Sequence, residues 1–157
     1  MLLNPTNKKV IVYDLDGTIC KIPDEYFIYI NVTPKNWSAF HCHIPYDTPY
    51  PQTKFLFELI GDHTNCIQIL ATARVEKYRA DTENWMKKEG LTAYEKLYMR
   101  DNFDWRPDYE AKQDMLKQIE KEYGKPFLVF DDRNAVLNMY QNNGIFTLGI
   151  NQGKGEV

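Results

Sequence analysis

Five short apolar runs divide the chain, and most of the segments between them carry apolar residues at helical spacing. The runs are residues 9–14, 66–71, 96–99, 126–130 and 145–150. Runs of this length and composition predict buried strands. The helical pattern covers residues 52–60, 75–89, 108–123 and 134–143, and glycine follows the last three of these segments. Strands that alternate with helices predict an α/β fold with a parallel sheet between two layers of helices.

The segment 19–51 separates the first predicted strand from the first predicted helix. It holds five of the eight prolines and many aromatic residues. Ordinary connections in such folds have about 2–6 residues, so this segment is too long to be a simple loop. Its aromatic content argues against disorder. We therefore interpret residues 19–51 as a small cap over the active edge, inserted after strand 1 of a single domain that spans residues 1–157.

Composition narrows the functional classes. The net charge is −3, so contact with nucleic acid would need a local basic patch. Three cysteines without metal-type or redox spacing indicate a reducing compartment. The first nine residues lack an apolar signal core, and no apolar run approaches the roughly 20 residues that span a bilayer. We expect a cytoplasmic protein that does not enter a membrane, and no obligatory protein partner is evident.

Polar residues that could take part in catalysis or ligand binding follow three of the predicted strands. Asp14 and Asp16 follow the first, Thr72 the second, and the pair Asp131-Asp132 the fourth. Parallel strands end at one edge of the sheet, where ligands of such folds bind. The sequence therefore predicts a functional site at this edge.

The run Asp14-Leu15-Asp16-Gly17-Thr18 is the strongest local signal. Asp14 can act as nucleophile on a phosphate, and Asp16 can protonate the leaving oxygen and later activate water. Gly17 lets the chain turn close to the phosphate. Carboxylates this close repel one another, which calls for a divalent cation, and oxygen ligands favour Mg²⁺. A calcium loop would need further acidic residues that do not follow here.

The second acidic pair completes this predicted metal site. Asp131 and Asp132 would leave room around the cation for water and a phosphoryl oxygen. Asp132 could instead cap the following helix. Arg133 either pairs with Asp132 or faces the substrate, and the sequence leaves both open.

Two further residues could bind phosphate. Thr72 could offer its hydroxyl, with the amides that follow, at a helix N-terminus, although an ordinary capping threonine would have the same pattern. Lys112 lies on the buried stripe of its helix with Met115 and Leu116. It could reach the phosphate or Asp14, or it could extend along the apolar surface to solvent.

These residues, in this order, resemble the haloacid dehalogenase superfamily of phosphatases. The resemblance implies a Rossmann-like sheet of strand order 5-4-1-2-3. The second half is similar to the 3′-phosphatase domain of phage polynucleotide kinase, but no GxxxxGK[ST] phosphate loop of a kinase half occurs. The matching segments are Thr72-Ala73-Arg74, Met99-Arg100, Arg106-Pro107-Asp108 leading to Lys112, and Phe130-Asp131-Asp132-Arg133-Asn134.

The resemblance also implies roles. It makes Asp14 the nucleophile and Asp16 the general acid and base, with Thr72 and Lys112 on the phosphoryl oxygens. The metal set is Asp14, Asp16 through its backbone carbonyl, and Asp131, with Asp132 beside them. The residues expected to contact substrate are Thr18, Arg74, Arg100 and Arg133. Aromatic residues of the cap could stack a base, whereas His41 and His43 are interpreted as structural.

The function predicted is that of a Mg²⁺-dependent phosphatase that removes a 3′-phosphate from nucleic-acid ends through an aspartyl-phosphate. The alternative is a nucleotidase or another small-molecule phosphomonoesterase. A signalling receiver domain fits less well, because its phosphorylated aspartate would end a middle strand that here ends in Thr72. A catalytically inactive relative is disfavoured because every chemical position is filled.

Overall fold

The computed structural model describes residues 7–151. Seven strands and five α-helices occur within that range. In chain order they are β1 (Lys9–Tyr13), β2 (Cys20–Lys21), α1 (Trp37–Phe40), β3 (Thr48–Pro49), α2 (Pro51–Gly61), β4 (Cys66–Val75), α3 (Arg79–Lys88), β5 (Lys96–Arg100), α4 (Asp108–Tyr123), β6 (Leu128–Asp131), α5 (Asn134–Asn142) and β7 (Thr147–Gly149).

Five of these strands form one parallel sheet in the order β5-β4-β1-β6-β7. When only the strands of this sheet are counted along the chain, the order is 5-4-1-2-3, as the sequence analysis expected. β1 is central, with Val12 opposite Ile69 of β4 and Val129 of β6. Both neighbours cover it, which explains why its sequence is an uninterrupted apolar run.

Helices cover both faces of the sheet, because successive side chains of a strand point to opposite faces. Ile11 and Tyr13 pack on one side against residues of α2 and α3, including Phe57 and Trp85. On the other side, Val10 and Val12 pack with residues of α4 and α5; these include Met115, Leu116, Val136 and Tyr140. The predicted three-layer α/β architecture is therefore confirmed.

The cap segment, residues 19–51, has structure of its own. It contains the two-stranded ribbon β2–β3, the short helix α1 and two 3₁₀ turns, Asp24–Tyr29 and His41–Tyr46. Its small core includes Ile22, Ile30 and Phe40. Trp85 of α3 donates its indole N–H to the carbonyl of Asp47 at 2.9 Å, which fixes the segment on the α3 side of the sheet edge.

The main departure from the sequence analysis lies after Thr72. Residues 75–89 were expected to form one helix, but β4 continues to Val75, a 3₁₀ turn covers Glu76–Tyr78, and α3 begins at Arg79. Thr72 is paired with Met99 of β5. The expectation that Thr72 lies at a helix N-terminus is therefore wrong. Tertiary pairing with β5 extends a strand whose polar threonine, taken alone, also suits a cap.

Smaller differences concern element ends. Residues 126–130 were expected as a strand, and β6 covers Leu128–Asp131; residues 145–150 were expected, and β7 covers Thr147–Gly149. The termini of the predicted 1–157 domain, residues 1–6 and 152–157, lie outside the described residues. Within residues 7–151, no helix has the length and apolar character needed to cross a membrane.

The packing of α4 against the sheet predicts a large cost for removing one core side chain. Leu116 is fully buried in that layer. Leu116→Ala should lower the free energy of unfolding by about 2–5 kcal/mol, because apolar contacts are lost and a cavity remains. Leu59→Ala, in α2, is the matched control, since Leu59 is 56% exposed and its loss should change stability by less than about 1 kcal/mol. Urea unfolding followed by circular dichroism measures both, and equal effects would contradict the assigned packing.

Candidate active site at the carboxyl edge of the sheet

Three carboxylates meet where β1 and β6 end. Asp14 directly follows β1, Asp131 is the last residue of β6, and Asp132 comes next. One carboxylate oxygen from each lies within 4.8 Å of the other two, and all three side chains are buried. We call Asp14, Asp131 and Asp132 the carboxylate cluster. The sequence analysis expected these residues to converge, and the sheet brings them together because neighbouring parallel strands end at the same edge.

Lys112 of α4 joins two members of the cluster. Its Nζ donates to Oδ1 of Asp14 and to Oδ2 of Asp131, each at 2.7 Å. Burial opposes the charge of this lysine, but the attraction of the two aspartates outweighs it and raises the pKa of Lys112. The buried stripe of α4 thus carries a fixed positive charge to the cluster, in the position that the sequence pattern predicted.

Gly17 allows a close approach inside the site. Its φ is +84°, which side chains rarely adopt, and a Cβ on it would lie 2.2 Å from Oδ2 of Asp132. A residue with a side chain would therefore strain the turn and displace Asp132. The glycine keeps the loop after β1 in contact with the end of β6.

The cluster fits a divalent cation. Oδ1 of Asp132 is buried and has no hydrogen-bond partner among the described residues. Burial, and then the charge of Asp131, raises the pKa of Asp132 to about 7, and burial raises that of Asp14 well above its usual range. Lys112 donates hydrogen bonds to two of the three carboxylates, Asp14 and Asp131. A buried charge without a partner is costly. Hard oxygen ligands of this kind suit Mg²⁺.

Asp16 is turned away from the cluster and held by Arg74. The guanidinium donates to Asp16 from Nε at 2.9 Å and from Nη2 at 2.5 Å. Burial alone would raise the pKa of Asp16, but the charge and hydrogen bonds of Arg74 outweigh it and hold that pKa far below its usual range. The Asp16 carboxylate is not part of the cluster, and the metal contact expected of this residue was through its backbone carbonyl.

Arg74 also binds the cap segment. Its Nη2 donates to Oδ2 of Asp47 at 2.6 Å, and Nη1 donates to the hydroxyl of Thr82 at 3.3 Å. Oδ1 of Asp47 shares a hydrogen bond of 2.6 Å with Nδ1 of His43. We call Asp16, Arg74, Asp47 and His43 the Arg74 network. All three guanidinium nitrogens are thus engaged by protein groups, although Arg74 was expected to contact substrate.

Sequence reasoning missed Asp47 and treated His43 as structural. The available signal was weak: a histidine and an aspartate four residues apart, inside a segment rich in proline and aromatic residues. Both side chains are fully buried. A buried acid and base at this spacing indicate a polar interaction that the fold must satisfy, but only the structure shows that their partner is Arg74.

The two threonines that were expected near the phosphate have different environments. Thr18 is buried, and its hydroxyl has no hydrogen-bond partner among residues 7–151. Thr72 is also buried, and its Oγ1 accepts from the backbone N–H of Arg74 at 3.2 Å. This hydroxyl caps the backbone of the β4 irregularity, and its predicted phosphate contact stays a prediction.

The other two arginines that were expected to contact substrate, Arg100 and Arg133, both pair with Asp108. Arg100 donates from Nη1 to the carbonyls of Asp104 and Arg106, and its Nη2 pairs with Oδ1 of Asp108. Arg133 pairs through Nη1 with Oδ2 of the same Asp108 at 2.7 Å. Arg100 is buried, whereas the Arg133 side chain is 40% exposed. Of the two, Arg133 is the one open to a ligand.

Solved structures share this fold. A chain of the Pnkp1/Rnl/Hen1 RNA repair complex aligns at 22% identity and TM-score 0.76, over 99% of this chain and 46% of that chain. A second structure of that complex aligns at 24% identity and TM-score 0.74, over 94% of this chain and 47% of that chain. A haloacid dehalogenase-like hydrolase from Streptococcus pneumoniae aligns at 16% identity and TM-score 0.60, over 92% of this chain and 85% of that chain.

The family follows from the sequence model that matches residues 8–154, described as the polynucleotide kinase PNKP phosphatase domain. The chain belongs to this family of phosphatase domains. It spans about half the length of the Pnkp1-complex chains that it matches. No match was found among curated proteins.

Arg74 and Arg79 each bind two acidic residues, but we expect the loss of Arg74 to destabilise the fold much more than the loss of Arg79. Arg74→Met should lower the free energy of unfolding by about 3–5 kcal/mol, because it leaves the buried Asp47 and the partly exposed Asp16 without their counter-charge. Arg79→Met is the control: Arg79 pairs with Glu76 and Glu83 but is 34% exposed, so the cost should be about 0–1 kcal/mol. Urea unfolding of both variants tests this, and a small effect at Arg74 would contradict its structural role.

Because Asp132 has an oxygen without a partner, we expect the effect of Asp132→Asn on the free energy of unfolding to depend on Mg²⁺. A carboxyl whose pKa is raised on folding destabilises the fold when ionised, and this penalty grows as the pH rises toward the folded pKa of about 7. In EDTA at pH 8, Asp132→Asn should therefore raise the free energy of unfolding by about 1–3 kcal/mol. Added MgCl₂ should stabilise the wild type more than the variant.

Asp24→Asn is the control for this experiment, because Asp24 is exposed in the cap segment. Its loss should change stability by less than about 0.5 kcal/mol with or without Mg²⁺. Equal stabilisation of wild type and Asp132→Asn by MgCl₂ in thermal unfolding would contradict a cation site at the cluster.

Proposed function

We propose that this protein is a Mg²⁺-dependent phosphatase that removes a 3′-phosphate from nucleic-acid ends through an aspartyl-phosphate on Asp14. The observation that carries the proposal is the separation of Asp14 from Asp16 into two opposite environments. Lys112 holds Asp14 in the carboxylate cluster, and Arg74 holds Asp16 outside it. Two carboxylates two residues apart are thereby prepared for different roles. The family match supports a polynucleotide end as substrate.

Asp14 is the nucleophile in this proposal. One of its oxygens attacks phosphorus, the bond from phosphorus to the ester oxygen breaks, and the phosphoryl group is transferred to the carboxylate. Lys112 orients Asp14 through its 2.7 Å hydrogen bond and offers positive charge to the transferred group. Mg²⁺, held by Asp14, Asp131, Asp132 and the Asp16 carbonyl, would supply further charge neutralisation for the phosphoryl oxygens.

Asp16 handles the protons. The leaving 3′-oxygen takes a proton from Asp16 in the first step; in the second, Asp16 accepts a proton from the water that attacks the aspartyl-phosphate and releases phosphate. Because Arg74 lowers the pKa of Asp16 in the free protein, the carboxyl must gain its proton when the negative phosphate arrives beside it. The structure of the free protein thus suits the base role directly.

The remaining predicted residues receive narrower roles. Thr18 and Thr72 would contact the phosphoryl oxygens; the buried hydroxyl of Thr18 lacks a partner among residues 7–151. Arg133 would contact the substrate outside the cluster. Arg74 and Arg100 bind protein groups and would act by positioning. Three free cysteines agree with a reducing, cytoplasmic setting, which we retain as part of the proposal.

A small-molecule phosphomonoesterase is the second candidate. The net charge of −3 favours it, because a polyanion would be repelled at long range. Salt separates the candidates, since binding of an oligonucleotide releases counterions and weakens as salt rises, whereas binding of a mononucleotide weakens much less.

The test is phosphate release, with Mg²⁺ present, from one oligonucleotide carrying either a 3′- or a 5′-phosphate, beside 3′- and 5′-mononucleotides. The proposal predicts fastest release from the 3′-phosphorylated oligonucleotide and a loss of at least about 10³-fold in Asp14→Asn. Faster release from mononucleotides would favour the second candidate. Activity that survives in Asp14→Asn would refute the assigned nucleophile.

A further inference from the structure

The loop 101–107, between β5 and α4, presents two aromatic side chains to solvent. Phe103 is 84% exposed and Trp105 79% exposed, and these are the most exposed large hydrophobic side chains of residues 7–151. Together with Asp101, Asp104 and Arg106 they line an open depression of about 620 Å³. Exposed aromatic rings that lie together mark a binding surface more often than a scattered single residue does. We call residues 101–107 the aromatic loop.

The aromatic loop is held in place by Arg100, the last residue of β5, and by polar groups of its own. Arg100 donates to the carbonyls of Asp104 and Arg106, and Asp101 accepts from the backbone N–H of Phe103 at 2.9 Å. Asp104 accepts from the backbone N–H and the side chain of Arg106. These hydrogen bonds, with one from Arg106 to Asp114 of α4, hold the loop backbone while the two rings remain exposed. Because the backbone that carries the rings is already held in place, ordering the loop adds little to the entropic cost of binding a ligand.

The loop is connected directly to the reaction site. It follows β5 at the same sheet edge as the carboxylate cluster, and it ends at Asp108, the first residue of α4. Asp108 pairs with Arg133, whose backbone N–H donates to Oδ1 of Asp131 at 3.0 Å. Two contacts thus lead from the end of the aromatic loop to a member of the cluster.

The chemistry of the loop favours a nucleobase. Asp101 and Asp104 carry negative charge, so the loop is not itself a phosphate site. Base stacking requires only flat uncharged rings and tolerates any base. The exposed Lys77 lies beside the loop, since its backbone N–H donates to the Asn102 side chain at 2.7 Å, and its charge could meet a backbone phosphate. A stable protein interface would need a wider apolar surface than two rings.

We propose that Phe103 and Trp105 stack the bases next to the terminal 3′-phosphate; this rests on the proposed function and deepens it. The surface would give affinity for polynucleotide ends without selecting a base. It also explains how a protein of negative net charge retains a nucleic-acid end, because the stacking contribution does not depend on the charge of the whole molecule.

The test compares an oligonucleotide 3′-phosphate with the same molecule made abasic at its two 3′-terminal nucleotides. For Phe103→Ala/Trp105→Ala, the KM for the intact oligonucleotide should rise about 5- to 100-fold with little change in kcat. The KM for the abasic substrate should not change. Phe146→Ala is the matched control: Phe146 is 69% exposed but precedes β7, at the opposite end of the sheet. Its KM values should equal those of the wild type.

A binding measurement separates this inference from the proposed function. Asp14→Asn is titrated with the intact and the abasic oligonucleotide while tryptophan fluorescence is recorded. Stacking predicts quenching by the intact molecule only, and its loss in Asp14→Asn/Trp105→Phe. Quenching without 3′-phosphatase activity in the wild type would overturn the proposed function and leave the stacking surface standing. Equal KM changes for both substrates, or no quenching by the intact oligonucleotide, would overturn the stacking surface.

Discussion

A buried lysine between two buried aspartates is the interaction on which the site depends. Lys112 reaches both Asp14 and Asp131 because α4 packs on the sheet with Met115 and Leu116 on the same stripe. Without that lysine, the ends of β1 and β6 would bring three carboxylates together with no buried counter-charge. With it, three carboxylates still face one lysine: burial and then the charge of Asp131 raise the pKa of Asp132, and one oxygen of Asp132 has no hydrogen-bond partner among residues 7–151. A divalent cation would neutralise the negative charge of these carboxylates and so allow an anionic phosphoryl group to approach Asp14.

The second constraint keeps Asp16 out of the cluster. Arg74 binds Asp16 and Asp47 at once, so the residue proposed to move protons is tied to the cap segment and to β4. Arg74 itself lies in an irregularity of β4, where the register shifts between Thr72 and Val75. Irregular strands often occur at functional sites, where they redirect a side chain. Here the irregularity leaves Arg74 fully buried and facing Asp16.

Sequence alone predicted what hydrophobic pattern and motif spacing determine. The five sheet strands, their order through the family resemblance, and the burial of Lys112 all follow from local pattern or from the resemblance. Thr72 was placed wrongly, because pairing with β5 rather than local preference decides where β4 ends. Arg74 was expected to contact the substrate, as one of the arginines of the segments that match the family. Its actual partners, Asp16 and Asp47, lie 58 and 27 residues away in sequence, and no local signal records such contacts.

The central claim is that Asp14 carries the phosphoryl group during turnover. The most direct measurement is rapid acid quenching of the wild type mixed with a 3′-phosphorylated oligonucleotide and Mg²⁺, followed by mass spectrometry of the peptide that contains Asp14. The account predicts a phosphoryl adduct on Asp14 that forms before phosphate is released and that is absent from Asp14→Asn. Full turnover of the wild type with no adduct on Asp14 at any time before phosphate release would contradict it.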